Sequence, residues 1–170
     1  MLIRRTEKTD GQTLRQLRIA ALTDAPYAFG VKLCDVLREP MDKFATDAIR
    51  HSESDISTSF LAFASKQPVG MIGAYFEQPS QRPYICSLWL QTPHRGSAMS
   101  SALLKAATGW LNARGAKSCY AWVADDNTRA IAFYQKHGFS KTDINQPLPS
   151  NALALEHLYV YEFPAAGRKS

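Results

Sequence analysis

Apolar residues recur at helical spacing in several stretches of the chain. Leu14, Leu17 and Ala21 follow one another at intervals of three and four residues, which places them on one face of a helix. Apolar residues show the same spacing after Pro40 and in two further segments of the second half of the chain. The pattern predicts helices over residues 11–22, 41–51, 101–115 and 125–138.

Shorter apolar runs between turn residues predict strands. They cover residues 59–65, 69–78, 84–91, 118–124, 139–142 and 155–163, after a short first strand that begins at Leu2. Residues 26–33 and 143–156 are expected to be loops. The resulting order is β-α-α-β-β-β-α-β-α-β-β, for which one mixed sheet covered by helices is the simplest packing. The unit over residues 84–124 is expected to be a right-handed parallel crossover.

Composition narrows the class of protein. The 170 residues are 45% hydrophobic and 21% charged, as expected for a single folded domain, which we assign to residues 1–163 with a tail over 164–170. The net charge of +5 is scattered and forms no basic block, so no nucleic-acid partner is expected. No apolar run is long enough to span a membrane, and no signal peptide is expected. The three cysteines are odd in number and widely spaced, which predicts no disulfide, no metal site and a cytoplasmic location.

A run of small residues connects the strand predicted over residues 84–91 to the helix predicted after it. This segment is Arg95-Gly96-Ser97-Ala98-Met99-Ser100, and it matches neither common glycine-rich nucleotide motif. Small residues allow an anion to approach backbone N–H groups that the first helical turn leaves unpaired. An arginine adds a bidentate partner for phosphate. The alternative is an ordinary strand-to-helix turn.

A second segment places three residues on one helix face. Asn127, Ala130 and Tyr134 are separated by three and four positions, so they lie on the same side of the predicted last helix. Asn127 is also suited to capping the helix, and Tyr134 to a place in the core. Both structural roles stay open beside a functional one.

Together the two segments resemble the GNAT superfamily of acetyl-CoA-dependent N-acetyltransferases. The family pattern N-x-x-A-x-x-x-Y-x-x-x-G-F is met in full by Asn127, Ala130, Tyr134, Gly138 and Phe139. The family's phosphate loop, [QR]-x-x-G-x-[GA], begins here at Arg95 but carries Ala98 and Ser100 at its two small-residue positions. The resemblance also covers the order of elements and implies an α+β fold with a mixed, mostly antiparallel sheet.

The resemblance implies a function and a set of site residues. The protein is expected to move an acetyl group from acetyl-CoA to a primary amine by direct attack on the thioester, without a metal, as a monomer or homodimer. Backbone groups near Leu90 are expected to hold the pantetheine arm and the oxyanion, and Asn127 the pantetheine or thioester. Tyr134 is expected to protonate the thiolate. The cofactor loop consists of Arg95, Gly96, Ser97, Ala98, Met99 and Ser100.

The reaction also needs a general base and a site for the acceptor. Glu77, at the end of a predicted strand, is the first candidate for a base that acts through water, and a solvated hairpin charge is its alternative. In the family the acceptor site lies between the first helices and the late strands, so residues 24–33 and 143–156 are expected to line it. Two other functions stay open: a coenzyme A-binding module without catalysis, and a structural domain that binds no coenzyme A.

Overall fold

Seven strands form one sheet in the computed structural model, which describes residues 1–165. The strands are β1 (Leu2–Arg5), β2 (Ser57–Ala64), β3 (Gln67–Phe76), β4 (Pro83–Leu90), β5 (Ser118–Ala124), β6 (Ser140–Leu148) and β7 (Asn151–Glu162). They lie in the order β1-β2-β3-β4-β5-β7-β6, and only β4 and β5 pair in parallel within the described residues. This confirms the predicted mixed, mostly antiparallel sheet.

Helices cover both faces of the sheet. The helices are α1 (Gly11–Asp24), α2 (Leu33–Arg38), α3 (Met41–Glu53), α4 (Ala98–Ala113) and α5 (Thr128–Lys136). Neighbouring strand residues point to opposite faces: Leu61 packs with α1 to α3, whereas Ala62 packs with α4 and α5. The apolar faces predicted from helical spacing are buried in α1 and α4, for example at Leu17 and Leu103. In α3 the prediction holds for Phe44 but not for Met41, which is exposed.

Two predicted loops contain regular structure. Residues 26–33 hold a 3₁₀ turn, Pro26–Ala28, and the start of α2, so residues 1–165 contain one α-helix more than predicted. Most of the expected loop over residues 143–156 belongs to the hairpin of β6 and β7. β6 is the edge strand and is largely exposed, so it shows no hydrophobic alternation and tolerates Pro147. The predicted tail at 164–170 falls almost wholly outside the described residues.

The tip of the β6–β7 hairpin contacts the segment between α1 and α2. Ser150 Oγ donates a hydrogen bond to the carbonyl oxygen of Phe29 at 2.5 Å, and Pro149 lies beside Gly30. Two segments more than a hundred positions apart therefore meet at the edge of the sheet where β4 and β5 end.

A bulge and a gap interrupt the centre of the sheet. On β3, Gly73 lies opposite Cys86 and Met71 opposite Trp89, so two residues of β4 face one residue of β3. Ser87, within this bulge, has φ of +55°. On the other side of β4, Tyr84 opposite Tyr120 is the pairing with β5 that the described residues show. Beyond it no further pairing of β4 with β5 is found within the described residues, and the two parallel strands separate towards their carboxyl ends.

None of the described helices combines the length and the apolar character needed to cross a membrane. Residues 1–165 likewise contain no group of three or more His, Cys, Asp or Glu side chains placed to hold a metal ion.

His51, near the end of α3, is held uncharged by its surroundings. Its Nδ1 shares a hydrogen bond with Ser59 Oγ at 2.9 Å. Burial lowers the pKa of His51 to about 4; the charge of Arg50 acts in the same direction and that of Asp47 opposes it. The folded protein therefore keeps a neutral imidazole at pH values where a free histidine is protonated.

We expect stability to fall as the pH drops below about 6.5. There the unfolded chain takes up a proton at His51 that the folded chain accepts only near pH 4. Each pH unit in this window is worth about 1.4 kcal/mol, so the free energy of unfolding in urea should drop by about 2 kcal/mol from pH 7 to pH 5 because of this group. His51→Gln should remove that part of the pH dependence. An unchanged slope in the variant would contradict the assignment.

Candidate active site

The segment between β4 and α4 forms an open backbone cradle. Gly96 has φ of +70°, which disfavours any residue with a Cβ, and apart from its chain neighbours nothing lies within 4 Å of where a Cβ would stand. Ser97 caps α4: its Oγ accepts from the N–H of Met99 at 3.2 Å and donates to the carbonyl of His94 at 2.6 Å. The turn is therefore rigid and open on one side.

Several N–H groups of this cradle have no protein acceptor. Within residues 1–165, no acceptor is found for the N–H groups of Gly96, Ser97, Ala98 and Ser100. Met99 differs, because its N–H donates a hydrogen bond to Ser97 Oγ. The side chain of Met99 is buried in the core. Unpaired N–H groups at the start of a 16-residue helix concentrate the positive end of the helix dipole. The cradle is thus suited to an anion.

Arg95 is held by the protein. Its Nε donates to the carbonyl of Leu90 at 2.7 Å, and its guanidinium forms an ion pair with Asp24 at the end of α1. Trp89 Nε1 also donates to Asp24, at 3.0 Å. The hydrogen bond from Trp89, followed by that from Arg95, lowers the pKa of Asp24. Arg95 therefore connects the cradle to β4 and α1. The sequence had suggested only a contact with phosphate for this residue.

A cavity of about 500 Å³ lies beside the cradle. We call it the loop cavity. It runs from the end of α1 over the end of β4 to the start of α5, and the β6–β7 hairpin does not line it. Its lining includes half of the site residues predicted from the sequence: Leu90, Arg95, Gly96, Ser100 and Asn127. The lining residues are Asp24, Ala25, Tyr27, Ala28, Phe29, Leu88, Trp89, Leu90, Arg95, Gly96, Ser100, Asn127, Arg129, Ala130 and Phe133.

Asn127 and Arg129 bring α5 into the loop cavity. Asn127 is the cap of α5, and its Oδ1 accepts from the N–H of Ala130 at 3.2 Å. Asn127 therefore caps the helix, which is the structural role that the sequence suggested. Because it also lines the loop cavity, its side-chain amide is accessible to a ligand. Arg129, which the sequence analysis did not single out, adds an exposed cation to the same wall.

Tyr134 lies deeper than the loop cavity. Its side chain is 6% exposed and packs edge-on against Phe139. Burial raises the pKa of its hydroxyl, and the thiols of Cys86 and Cys119 act in the same direction. Tyr134 belongs to the same core cluster as Ile85 of β4 and Cys119 of β5, so its side chain lies on the face of the two separating strands that α4 and α5 cover. The hydroxyl stays protonated at neutral pH and is therefore able to donate a proton.

Glu77 is not brought to this site. It lies at the tip of the β3–β4 hairpin, is exposed, and accepts a hydrogen bond from Ser80 Oγ at 2.7 Å. It does not line the loop cavity. This position matches the alternative given above, a solvated hairpin charge.

The sequence also matches a known family. A protein-family model described as the acetyltransferase (GNAT) family covers residues 21–139. The chain belongs to this family. The match includes the end of α1, the cradle and α5, and it confirms the family and the acyltransferase class that the sequence indicated. A comparison with curated proteins gives no match.

Solved structures of GNAT-type acetyltransferases share the fold. A GNAT-family acetyltransferase from Streptococcus pneumoniae has a TM-score of 0.81 at 20% identity, over 96% of this chain and 99% of that one. The PaiA N-acetyltransferase of Thermoplasma acidophilum, in complex with coenzyme A, has a TM-score of 0.77 at 18% identity, over 95% and 98%. A putative streptothricin acetyltransferase of Bacillus anthracis, in complex with acetyl coenzyme A, has a TM-score of 0.60 at 17% identity, over 68% and 67%.

Proposed function

We propose that this protein transfers the acetyl group of acetyl-CoA to a primary amine by direct attack of the amine on the thioester. The observation that carries the proposal is the cradle of unpaired N–H groups from Gly96 to Ser100 at the mouth of the loop cavity. A pyrophosphate needs several converging N–H donors, and the cradle supplies them next to a helix N-terminus. The coenzyme A and acetyl-CoA complexes of relatives with this fold support the choice of cofactor.

The remaining charges of the site suit the same cofactor. Arg129 faces the loop cavity with no carboxylate partner in the described chain, so we assign it to the phosphates together with Arg95. The pantetheine arm then extends between β4 and β5, where the strands have separated and their backbone groups are available. Asn127 lies along this path. A thiol-bearing cofactor is compatible with the free cysteines Cys34, Cys86 and Cys119 and with a reducing compartment such as the cytoplasm.

The chemistry requires an oxyanion donor and an acid at the separated strands. The bulge at Ser87 interrupts the pairing of β4 with β3, and beyond Tyr84 the described residues show no pairing of β4 with β5. N–H groups near Leu88 to Leu90 are therefore left to stabilise the developing oxyanion. Tyr134 supplies the proton for the departing thiolate. Asp24, the carboxylate that lines the loop cavity, is held by Arg95 and Trp89. We therefore propose that water accepts the proton of the attacking amine.

Binding and turnover test this function separately. Calorimetry should give a micromolar dissociation constant for acetyl-CoA, about –7 to –8 kcal/mol, and a panel of primary amines should release free thiol from it. Binding without thiol release from any amine would favour the non-catalytic coenzyme A-binding module. No binding at millimolar acetyl-CoA would contradict both functions and favour a structural domain.

A further inference from the structure

A second cavity, of about 310 Å³, lies on the other side of β4. We call it the helix cavity, because α1, α2 and α3 form its walls and β2, β3 and β4 its floor. It reaches β4 at Cys86 and Ser87, directly before the three residues of β4 that line the loop cavity. The two cavities therefore meet β4 on either side of the bulge.

Most of the charges around the helix cavity neutralise one another. They belong to α3 and the residues just before it. Lys43 pairs with Glu39 and with Asp47, both at 3.2 Å, and Arg50 pairs with Asp47 at 2.6 Å. His51 is uncharged at neutral pH, as described above. This wall thus contributes little net charge to a ligand.

Arg18 is the exception. It enters the cavity from α1, and its guanidinium donates to Ser87 Oγ at 2.9 Å. No carboxylate pairs with it within residues 1–165. A guanidinium carries five N–H donors, so most of its hydrogen-bonding capacity is unused. A half-buried cation beside a neutral hydroxyl is poorly compensated unless an anion joins it.

The floor of the cavity offers further donors. Ser57 is 8% exposed and lines the cavity, and its buried hydroxyl has no hydrogen-bond partner within the described residues. Tyr75, which faces Ser57 across the two strands, also lines the cavity. Opposite them, Leu14, Val36 and Phe44 form an apolar wall. The cavity thus combines one unpaired cation, hydroxyl donors and an apolar side.

We propose that the helix cavity binds the acceptor of the acetyl group, and that this acceptor is a small primary amine carrying a carboxylate that pairs with Arg18. This inference rests on the proposed acetyl transfer. Because Arg18 contacts Ser87 itself, a carboxylate bound to it lies next to the bulge of β4. An amine a few bonds away on the same molecule then reaches the separated strands, where the thioester is placed. A polyamine has no group for Arg18 and is repelled by it.

Cys86 provides a test of the anion site that needs no turnover. Iodoacetate and iodoacetamide alkylate thiols with groups of similar size, but only iodoacetate is an anion. Cys34 and Cys86 are both exposed. Cys86 lines the helix cavity beside Arg18, whereas Cys34 lies on α2 and does not line it. The ratio of the iodoacetate rate to the iodoacetamide rate, measured by mass spectrometry, should be higher at Cys86 than at Cys34. Taking a ratio cancels differences in thiolate fraction.

Arg18→Gln keeps a donor for Ser87 and removes the charge. It should lower the rate ratio at Cys86 by about fivefold or more and leave the ratio at Cys34 unchanged. Arg15→Gln is the matched control: it removes the same charge from α1, but Arg15 does not line the helix cavity. A ratio at Cys86 that is the same in the native chain and in Arg18→Gln overturns the anion site.

Acceptor preference tests the substrate class. Free amino acids, the corresponding amino-acid amides and spermidine should be compared by thiol release from acetyl-CoA. We expect kcat/KM for the acids to exceed that for their amides by about tenfold or more, mainly through KM, and Arg18→Gln to remove this preference. Equal use of amides or spermidine overturns the substrate class and leaves acetyl transfer standing. No thiol release from any amine removes the proposed function, while the alkylation ratio still decides whether Arg18 forms an anion site.

Discussion

Replacement of Tyr134 by Phe should lower kcat by a factor of about 100 to 10,000, the usual contribution of general acid catalysis. The change removes a hydroxyl whose pKa is raised by burial, so it removes a proton that is present at neutral pH. The ring, its contact with Phe139 and the loop cavity stay in place. The affinity for acetyl-CoA, measured by calorimetry, should therefore stay within about threefold of the native value.

The stability of the same variant separates catalysis from packing. Within residues 1–165 no protein group hydrogen-bonds to the Tyr134 hydroxyl, so its loss should change the free energy of unfolding by less than about 1 kcal/mol. Tyr159→Phe is the matched control, since Tyr159 is 1% exposed and belongs to the same core cluster. It should keep full activity. Full activity of Tyr134→Phe on a proven amine would leave Tyr134 as a core aromatic only.

The helices and most strands could be predicted because their signal is local. Leu103, Ala107 and Leu111 show the apolar face of α4 at intervals of four residues, and all are buried. The short helix α2 was missed because six residues with one buried side chain carry no periodic signal. The bases of β6 and β7 were predicted, but the outer part of their hairpin was expected to be a loop, because β6 is an exposed edge strand. Its pairing with β7, not its own side chains, makes it a strand.

In the candidate site, too, local features could be predicted from the sequence and long-range contacts could not. The cradle and α5 are continuous segments whose residue types and spacing express their roles, so both were found in the sequence. Asp24 was included only as the first residue of the segment 24–33 expected to line the acceptor site, yet it accepts from Trp89 and pairs with Arg95, 65 and 71 positions away. Arg18 and Ser87 are 69 positions apart. Such contacts depend on how the sheet brings distant segments together, and one sequence gives no local sign of them.

Replacement of Gly96 by Trp should weaken acetyl-CoA binding by more than about 100-fold. Gly96 has φ of +70° and open space where a Cβ would stand, and its N–H belongs to the cradle. An indole there fills the space through which a pyrophosphate approaches the N–H groups of Gly96 to Ala98. Calorimetry with acetyl-CoA measures the loss. By contrast, Ala98→Gly at the exposed start of α4 should be tolerated, at a cost of at most about 1 kcal/mol in stability.

Backbone strain needs a control of its own, because a residue with a Cβ at positive φ costs about 1–2 kcal/mol. Gly115 offers it: its φ is +90°, nothing lies within 4 Å of a Cβ there, and it follows the other end of α4. Gly115→Trp should lose a similar amount of stability in thermal unfolding and keep its affinity for acetyl-CoA. Loss of binding in Gly96→Trp alone would locate the phosphate contacts at the cradle. Equal affinity in both variants would mean that acetyl-CoA, if bound, does not use these N–H groups.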